Sequence, residues 1–265
     1  MRAPLSYDRG RARCPSRSLT LDVPHTTAIV VVVAIVALAT FLQRLTGFGF
    51  ALFSVPLMSL AISPTRAVVV ASLCSFPNTI ITAWQLRRFI DWPIAKRFAL
   101  WSFVGMPFGL VILDAVPERP FRIFLGVVIA AATVAIGSGW RLRATRPSVD
   151  AAIGVISGVL ATSTGTNGPP LVIGLHGRRL TPDVFRGTIS AIFVASNASL
   201  VLFAARGKIT HVTIGLAALA FPTIPVMAYV GLRAARRMRD AHFERLVLAL
   251  LLATAASAII GGIRG

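Results

Sequence analysis

Thr164-Gly165-Thr166-Asn167-Gly168-Pro169-Pro170 interrupts an apolar stretch, residues 151–177, that carries no Asp, Glu, Lys or Arg. A second interruption, Thr46-Gly47-Phe48-Gly49 followed by Pro56, stands at a matching place nearer the start of the chain. Glycine weakens a helix through backbone entropy and proline through its missing donor, so both stretches read as helices broken inside apolar surroundings. In hydrocarbon every backbone N–H and C=O needs a partner, and a broken helix persists there only when buried in protein or lining a cavity. Paired broken segments at corresponding positions point to a transporter's substrate site.

The rest of the chain supplies the membrane. Stretches without a charged side chain recur at 23–43, 45–65, 67–86, 98–113, 123–140, 151–177, 187–205, 209–232 and 246–263. A spanning helix takes about 20 apolar residues, so the chain reads as an all-α polytopic membrane protein. Hydrophobic residues make up 55% of it and charged residues 14%, which excludes an ordinary soluble domain. The net charge of +18 sits in the N-terminal tail and in short connections between apolar stretches. No basic run is interleaved with aromatics, so the charge sets orientation and no nucleic-acid partner is expected. Cys14 and Cys74 make neither a disulfide framework nor a metal spacing.

The organisation is twofold. Residues 1–25 form an Arg-rich tail, disordered by composition, and a basic cytoplasmic linker at 141–150 separates a first repeat, 26–140, from a second, 151–265. The landmarks recur in order: the broken segment, then Pro64/Arg66 or Pro182/Arg186, then Asn78 or Asn197, then Ile90 or Ile209 twelve residues later, then Pro107 or Pro225. Each half opens with a Gly/Pro-broken helical hairpin and continues with three transmembrane helices. Placing Arg87, Arg88, Lys96 and Arg97 in the cytoplasm makes the loop charges agree with the positive-inside rule. If the broken hairpins are re-entrant, three crossings per half make the two repeats inverted. That arrangement puts the Arg-rich tail outside, unless the chain starts downstream of Met1 or the segment 26–60 crosses an odd number of times.

A half-helix starting in mid-membrane points free N–H groups and the positive end of its dipole at a cavity, which favours an anion. Thr46, Gly47, Gly49, Thr164, Gly165, Thr166, Asn167 and Gly168 are the substrate-binding candidates there: small residues allow close backbone approach and the polar ones donate hydrogen bonds. Asn78 and Asn197 join them, as polar groups inside otherwise apolar spans. Arg66 and Arg186 flank the broken segments and serve either as topology anchors or to draw an anion inward. Asp22, Asp91, Asp114, Glu118, Asp150, Asp183, Asp240 and Glu244 all fall at or beyond span ends, so a cation substrate is disfavoured. No metal or other cofactor is expected, since the four histidines have no ligand spacing. Ser163 with His176 or His211 lacks the context of a nucleophile and base, and no enzyme activity is expected. A cation or metal carrier using backbone carbonyls and a non-transporting scaffold remain as alternatives.

Gly47-Phe48-Gly49 with Pro56-Leu57, Gly154-Val155-Ile156-Ser157-Gly158 leading to Gly165 through Gly168 and Pro170, and the connection from Trp84 to Trp92 resemble the sulfite exporter TauE/SafE family. The likeness covers roughly residues 28–263. It implies an inverted-repeat bundle in the bacterial inner membrane that moves sulfite, sulfonates or related small anions, commonly outward. Phe48 and Phe50 stand among the glycines of the first broken segment, where the family's glycine run is usually fuller, and this bears on which anion is taken.

Overall fold

A computed structural model of the chain describes residues 25–46, 49–138, 146–178, 180–235 and 256. Among the described residues every regular element is helical: α1 (His25–Thr46), α2 (Phe50–Ala61), α3 (Pro64–Gln85), a 3-10 turn (Arg87–Phe89), α4 (Trp92–Ala115), α5 (Glu118–Gly137), α6 (Pro147–Ser163), α7 (Gly168–His176), α8 (Pro182–Ser196), α9 (Ser199–Ala205), α10 (His211–Ala220) and α11 (Thr223–Ala235). Among the described residues, four helical stretches are long and apolar enough to cross a membrane, Thr26–Arg44, Pro64–Gln85, Trp92–Ala115 and Pro182–Ala205. The bent pair α10–α11 makes a fifth. Leu100, Phe103, Val104, Phe108 and Val111 of α4 are exposed, an apolar face suited to lipid rather than water.

Two ends of the bundle can be told apart by charge. One carries Arg87, Arg88, Lys96 and Arg97, with exposed Trp84 and Trp92 at the level where amphipathic aromatics favour a membrane interface. The other carries Asp114, which pairs with Arg206 at 2.9 Å and with Lys208. We refer to them as the Arg87 face and the Asp114 face.

The two broken segments are both hairpins. α1 is 22 residues long, about 33 Å. It begins at the Asp114 face, where Ala28 and Ile29 share a cleft with Ile62, Arg66 and Val212. The 12-residue α2, about 18 Å, brings the chain back to that cleft. Gly49, at the start of α2, has φ 100°, a left-handed conformation that glycine adopts at little cost. This hairpin therefore returns to the face it left. The tail itself lies outside the described residues.

α6 and α7 form the other hairpin, with its base at the Arg87 face. Asp150, only 2% exposed, receives Arg97 Nη1 at 2.9 Å and Arg178 Nη2 at 2.5 Å, and so ties the start of α6 to the end of α7 and to α4. α6 runs alongside α4 in the same direction. Gly154 lies against Phe98 and Trp101, Gly158 against Ser102, and Thr162 Oγ1 donates to Met106 O at 2.6 Å. Removing the carboxylate charge leaves two guanidinium groups facing each other, though Arg97 is 42% exposed and remains partly hydrated. Asp150→Asn is expected to cost about 2 kcal/mol, read as a lowered melting temperature of the purified protein. A melting temperature equal to wild type would show that the hairpin base does not depend on this charge.

Two expectations need correction. The linker expected at 141–150 ends sooner, because α6 begins at Pro147: proline at the first helical position is pre-organised, and Asp150 in the first turn suits the helix dipole. The spans of the second half are not ordinary either. The first is interrupted at Asn197–Ala198, between α8 and α9, and the second bends by 44° between α10 and α11, where Pro222 removes a donor. The third, expected at 246–263, lies outside the described residues except for Ala256.

Candidate substrate cavity

The start of α2, the tip between α6 and α7, the middle of α3 and the α8–α9 break meet around one cavity of about 50 Å³. Its polar lining comprises Gln43, Ser72, Ser75, Thr79, Thr166, Asn167, Ser196, Asn197 and Ser199, with Phe50 and Phe193 as apolar walls. Among the described lining residues there is no carboxylate and no cation.

The donors follow from where the helices start. No side chain caps α2, and its first accepted bond runs from Phe53 N to Gly49 O. Among the described residues the N–H groups of Phe50, Ala51 and Leu52, first-turn amides of a helix, have no intrahelical acceptor, and all three residues line the cavity. α7 contributes less, since Pro169 and Pro170 in its first turn have no N–H; Gly168 is the residue of that turn at the cavity. Gly165, at φ +70°, turns the tip, and a Cβ there would meet Val55, Val68 and Ala51. Thr166 Oγ1 lies 2.6 Å from Thr164 Oγ1, and Ser157 Oγ donates to Asn167 O at 3.2 Å, so the tip is held by its own polar groups.

Ser196 stands out in the lining. It is 5% exposed, and its hydroxyl has no hydrogen-bond partner among the described residues. A buried, unsatisfied hydroxyl is costly, and a ligand in the cavity would satisfy it. Asn197, at the break that follows, donates from Nδ2 to Phe193 O at 2.8 Å and to Thr79 Oγ1 at 3.2 Å, joining α8 to α3.

Gly49, Gly165, Thr166, Asn167, Gly168 and Asn197 of the sequence-derived candidates therefore come together. Thr164 is fully buried just behind the tip and does not line the cavity. The side chain of Thr46 and the whole of Gly47 lie outside the described residues. Asn78 departs from expectation. It is 1% exposed and off the cavity: Arg44 Nη2 donates to its Oδ1 at 2.5 Å, and its own Nδ2 donates to Gln43 Oε1. The sequence reading missed Arg44, whose charge falls between two apolar stretches and reads as the end of a span. Ser196 and Ser199 were also missed, though Ser196-Asn197-Ala198-Ser199 is an unusually polar patch for a span.

The side chain of His176, one of the two histidines considered with Ser163, lies outside the described residues. Ser163 is buried and donates to Val159 O at 2.7 Å, while His211 is exposed at the Asp114 face. Among the described residues no group of three His, Cys, Asp or Glu side chains could hold a metal ion. Arg66 lies at the Asp114 face, exposed and far from the cavity, whereas Arg186 lines a neighbouring cleft.

Comparison with known proteins agrees with this architecture. A curated relative named "Probable sulfite/organosulfonate exporter TauE", from Cupriavidus necator, is 23% identical over 238 residues, covering 87% of this chain and 93% of that protein. No solved structure matches the chain. The family model described as Sulfite exporter TauE/SafE matches residues 32–258, from the first hairpin through all of the helices around the cavity. A multi-pass helical bundle built on two broken hairpins, matched over that length, belongs to the sulfite exporter TauE/SafE family of membrane transporters.

Proposed function

We propose that the chain carries small anions, sulfite or related sulfur and organic anions, outward across a bacterial inner membrane, with the cavity between the hairpins as the binding site. One observation carries the reading. The first-turn amides of Phe50, Ala51 and Leu52, the Thr166–Gly168 tip, the unpartnered Ser196 hydroxyl and Asn197 converge on a space without a carboxylate. Such a site offers hydrogen-bond donors and no formal negative charge, which suits an anion, and it offers a cation only neutral oxygens. At roughly 10–15 Å³ for each water, about 50 Å³ holds three to five waters, the size of a four-heavy-atom oxyanion such as sulfite. A sulfonate with a carbon tail needs the cavity to widen in another state of the cycle.

The two halves act as inverted repeats in this proposal. Its support is that α1–α2 opens to the Asp114 face and α6–α7 to the Arg87 face, while α1 packs on α10 and α11 of the second half as α6 packs on α4 of the first. Rocking one half on the other would open the shared cavity to each side in turn. Export of an anion from an inside-negative cell gains about 2.3 kcal/mol per charge per 100 mV, so no coupling carboxylate is needed.

The test is sulfite and sulfoacetate flux in proteoliposomes under an imposed potential of either sign. Flux is expected to follow the potential and to reverse with it. Folded protein that moves neither anion would remove the carrier reading and bring the scaffold alternative forward.

A further inference from the structure

Beside the central cavity lies a second cleft of about 120 Å³, between the end of α1, the end of α3 and the start of α8 at the Arg87 face. Arg44, Arg186, Thr82, Gln85 and Ser190 line it. Gln43 and Thr79 line both spaces, so these two side chains form the wall between them. We propose that this cleft is a second oxyanion site in series with the central one, where Arg44 and Arg186 capture the anion from the cytoplasmic side before it passes the Gln43–Thr79 partition. The proposal rests on the anion-carrier reading and adds to it a location, a charge and an order of events.

The charge argument is direct. The central lining is neutral, whereas the cleft holds two guanidinium groups and one carboxylate, that of exposed Asp183. Among the described residues no carboxylate lies within 4.0 Å of either guanidinium, whereas Arg97, Arg178, Arg206 and Lys208 are all paired. Arg44 is fixed in place by Asn78, and its Nε is buried without a partner among the described residues. A guanidinium held by one nitrogen, with another donor unused, is prepared for a planar or trigonal oxyanion. Asn78 thereby gains a role that its absence from the central cavity had left open: with Gln43 it orients Arg44 at the partition.

Two sites of unequal charge also suit conduction. A cationic outer site raises the local concentration of a dilute anion, and a neutral inner site holds it weakly enough to release it. Charge at the cleft alone would trap the anion, and the neutral cavity alone would fill slowly.

Equilibrium dialysis of ³⁵S-sulfite against the full chain in phosphatidylcholine nanodiscs tests this. Wild type is expected to bind two sulfites per chain. Arg186→Gln should bind one, and in proteoliposomes the half-saturating sulfite at the Arg87 face should rise about tenfold, the scale of one lost charged hydrogen bond. Arg186→Lys should restore the second site in part, and Asn197→Leu should bind one while carrying no flux. A single site lost in Asn197→Leu and untouched by Arg186→Gln overturns the cleft while leaving the carrier reading intact. No binding in any variant overturns both. Loss of the second sulfite when phosphatidylglycerol is added would reassign the cleft to a lipid headgroup and overturn the proposal.

Discussion

Asn197→Leu is expected to abolish sulfite flux, by at least about 100-fold, in protein that still inserts and purifies. Leucine keeps the side-chain volume, so the α8–α9 break and the walls around it are not emptied. What goes is the amide: Nδ2 no longer joins Thr79 Oγ1 to the break, and the cavity loses a polar group that faces it. Both Nδ2 hydrogens are committed to Phe193 O and Thr79 Oγ1, so Asn197 acts by holding the break and the donors beside it in place. Misplacing one hydrogen bond to a charged group costs about 1.5–3 kcal/mol, a factor of roughly 10–150 in affinity. The leucine methyls add an apolar surface against which an oxyanion cannot exchange its hydration. Asn78→Leu is expected to reduce flux for another reason, because it frees Arg44, and its effect should show mainly in the sulfite concentration needed. Normal maximal flux in Asn197→Leu, measured in the same proteoliposomes, would move the substrate path elsewhere in the bundle.

The contrast between the two asparagines shows how far a sequence reaches. Both stand in matching places after a broken segment, and that register is legible because it needs only spacing. Where each side chain points depends on what the neighbouring half brings up to it. Asn78 meets Gln43 and Arg44 from α1, and Asn197 meets open space beside Thr79. The hairpins were readable for a simpler reason: Gly49, Gly165 and the Pro169–Pro170 pair cannot continue a helix at low cost, whatever surrounds them. The α8–α9 break had no such mark, since Ser196-Asn197-Ala198-Ser199 contains neither glycine nor proline. Asn197 adds its side-chain Nδ2 to the backbone N–H that already donates to the carbonyl of Phe193, and only the packed structure shows that shared acceptor. Arg44 was hidden by the rule that charges end spans, which holds on average and fails where a buried partner such as Asn78 receives the charge.

Gly158→Ala is expected to be the most damaging single methyl in the described bundle. A Cβ on Gly158 would fall onto the carbonyl of Ser102 and within 2.9 Å of its Cα. The obstacle is backbone, so no rotamer change relieves it, and α4 and α6 would have to separate along their length. Gly105 and Gly109 on α4 face Val155 and Val159 of α6 in the same way, which makes the contact a run of small residues that lets two backbones touch. Overpacking ordinarily costs 1–3 kcal/mol where side chains can give, so about 3 kcal/mol or more is expected here. An apparent melting temperature lower by on the order of 10 °C would follow, with protein lost to aggregate on size exclusion. Gly215→Ala is the control. It sits mid-helix in α10 with nothing within 4 Å of the added carbon, and alanine there should be neutral or slightly stabilising. Two Gly→Ala changes with opposite outcomes would separate helix propensity from the close approach of α4 and α6. Equal melting temperatures would mean that the two helices have room to spare. That would also undermine the rigid attachment of the α6–α7 hairpin to the first half, on which a shared cavity between the two halves depends.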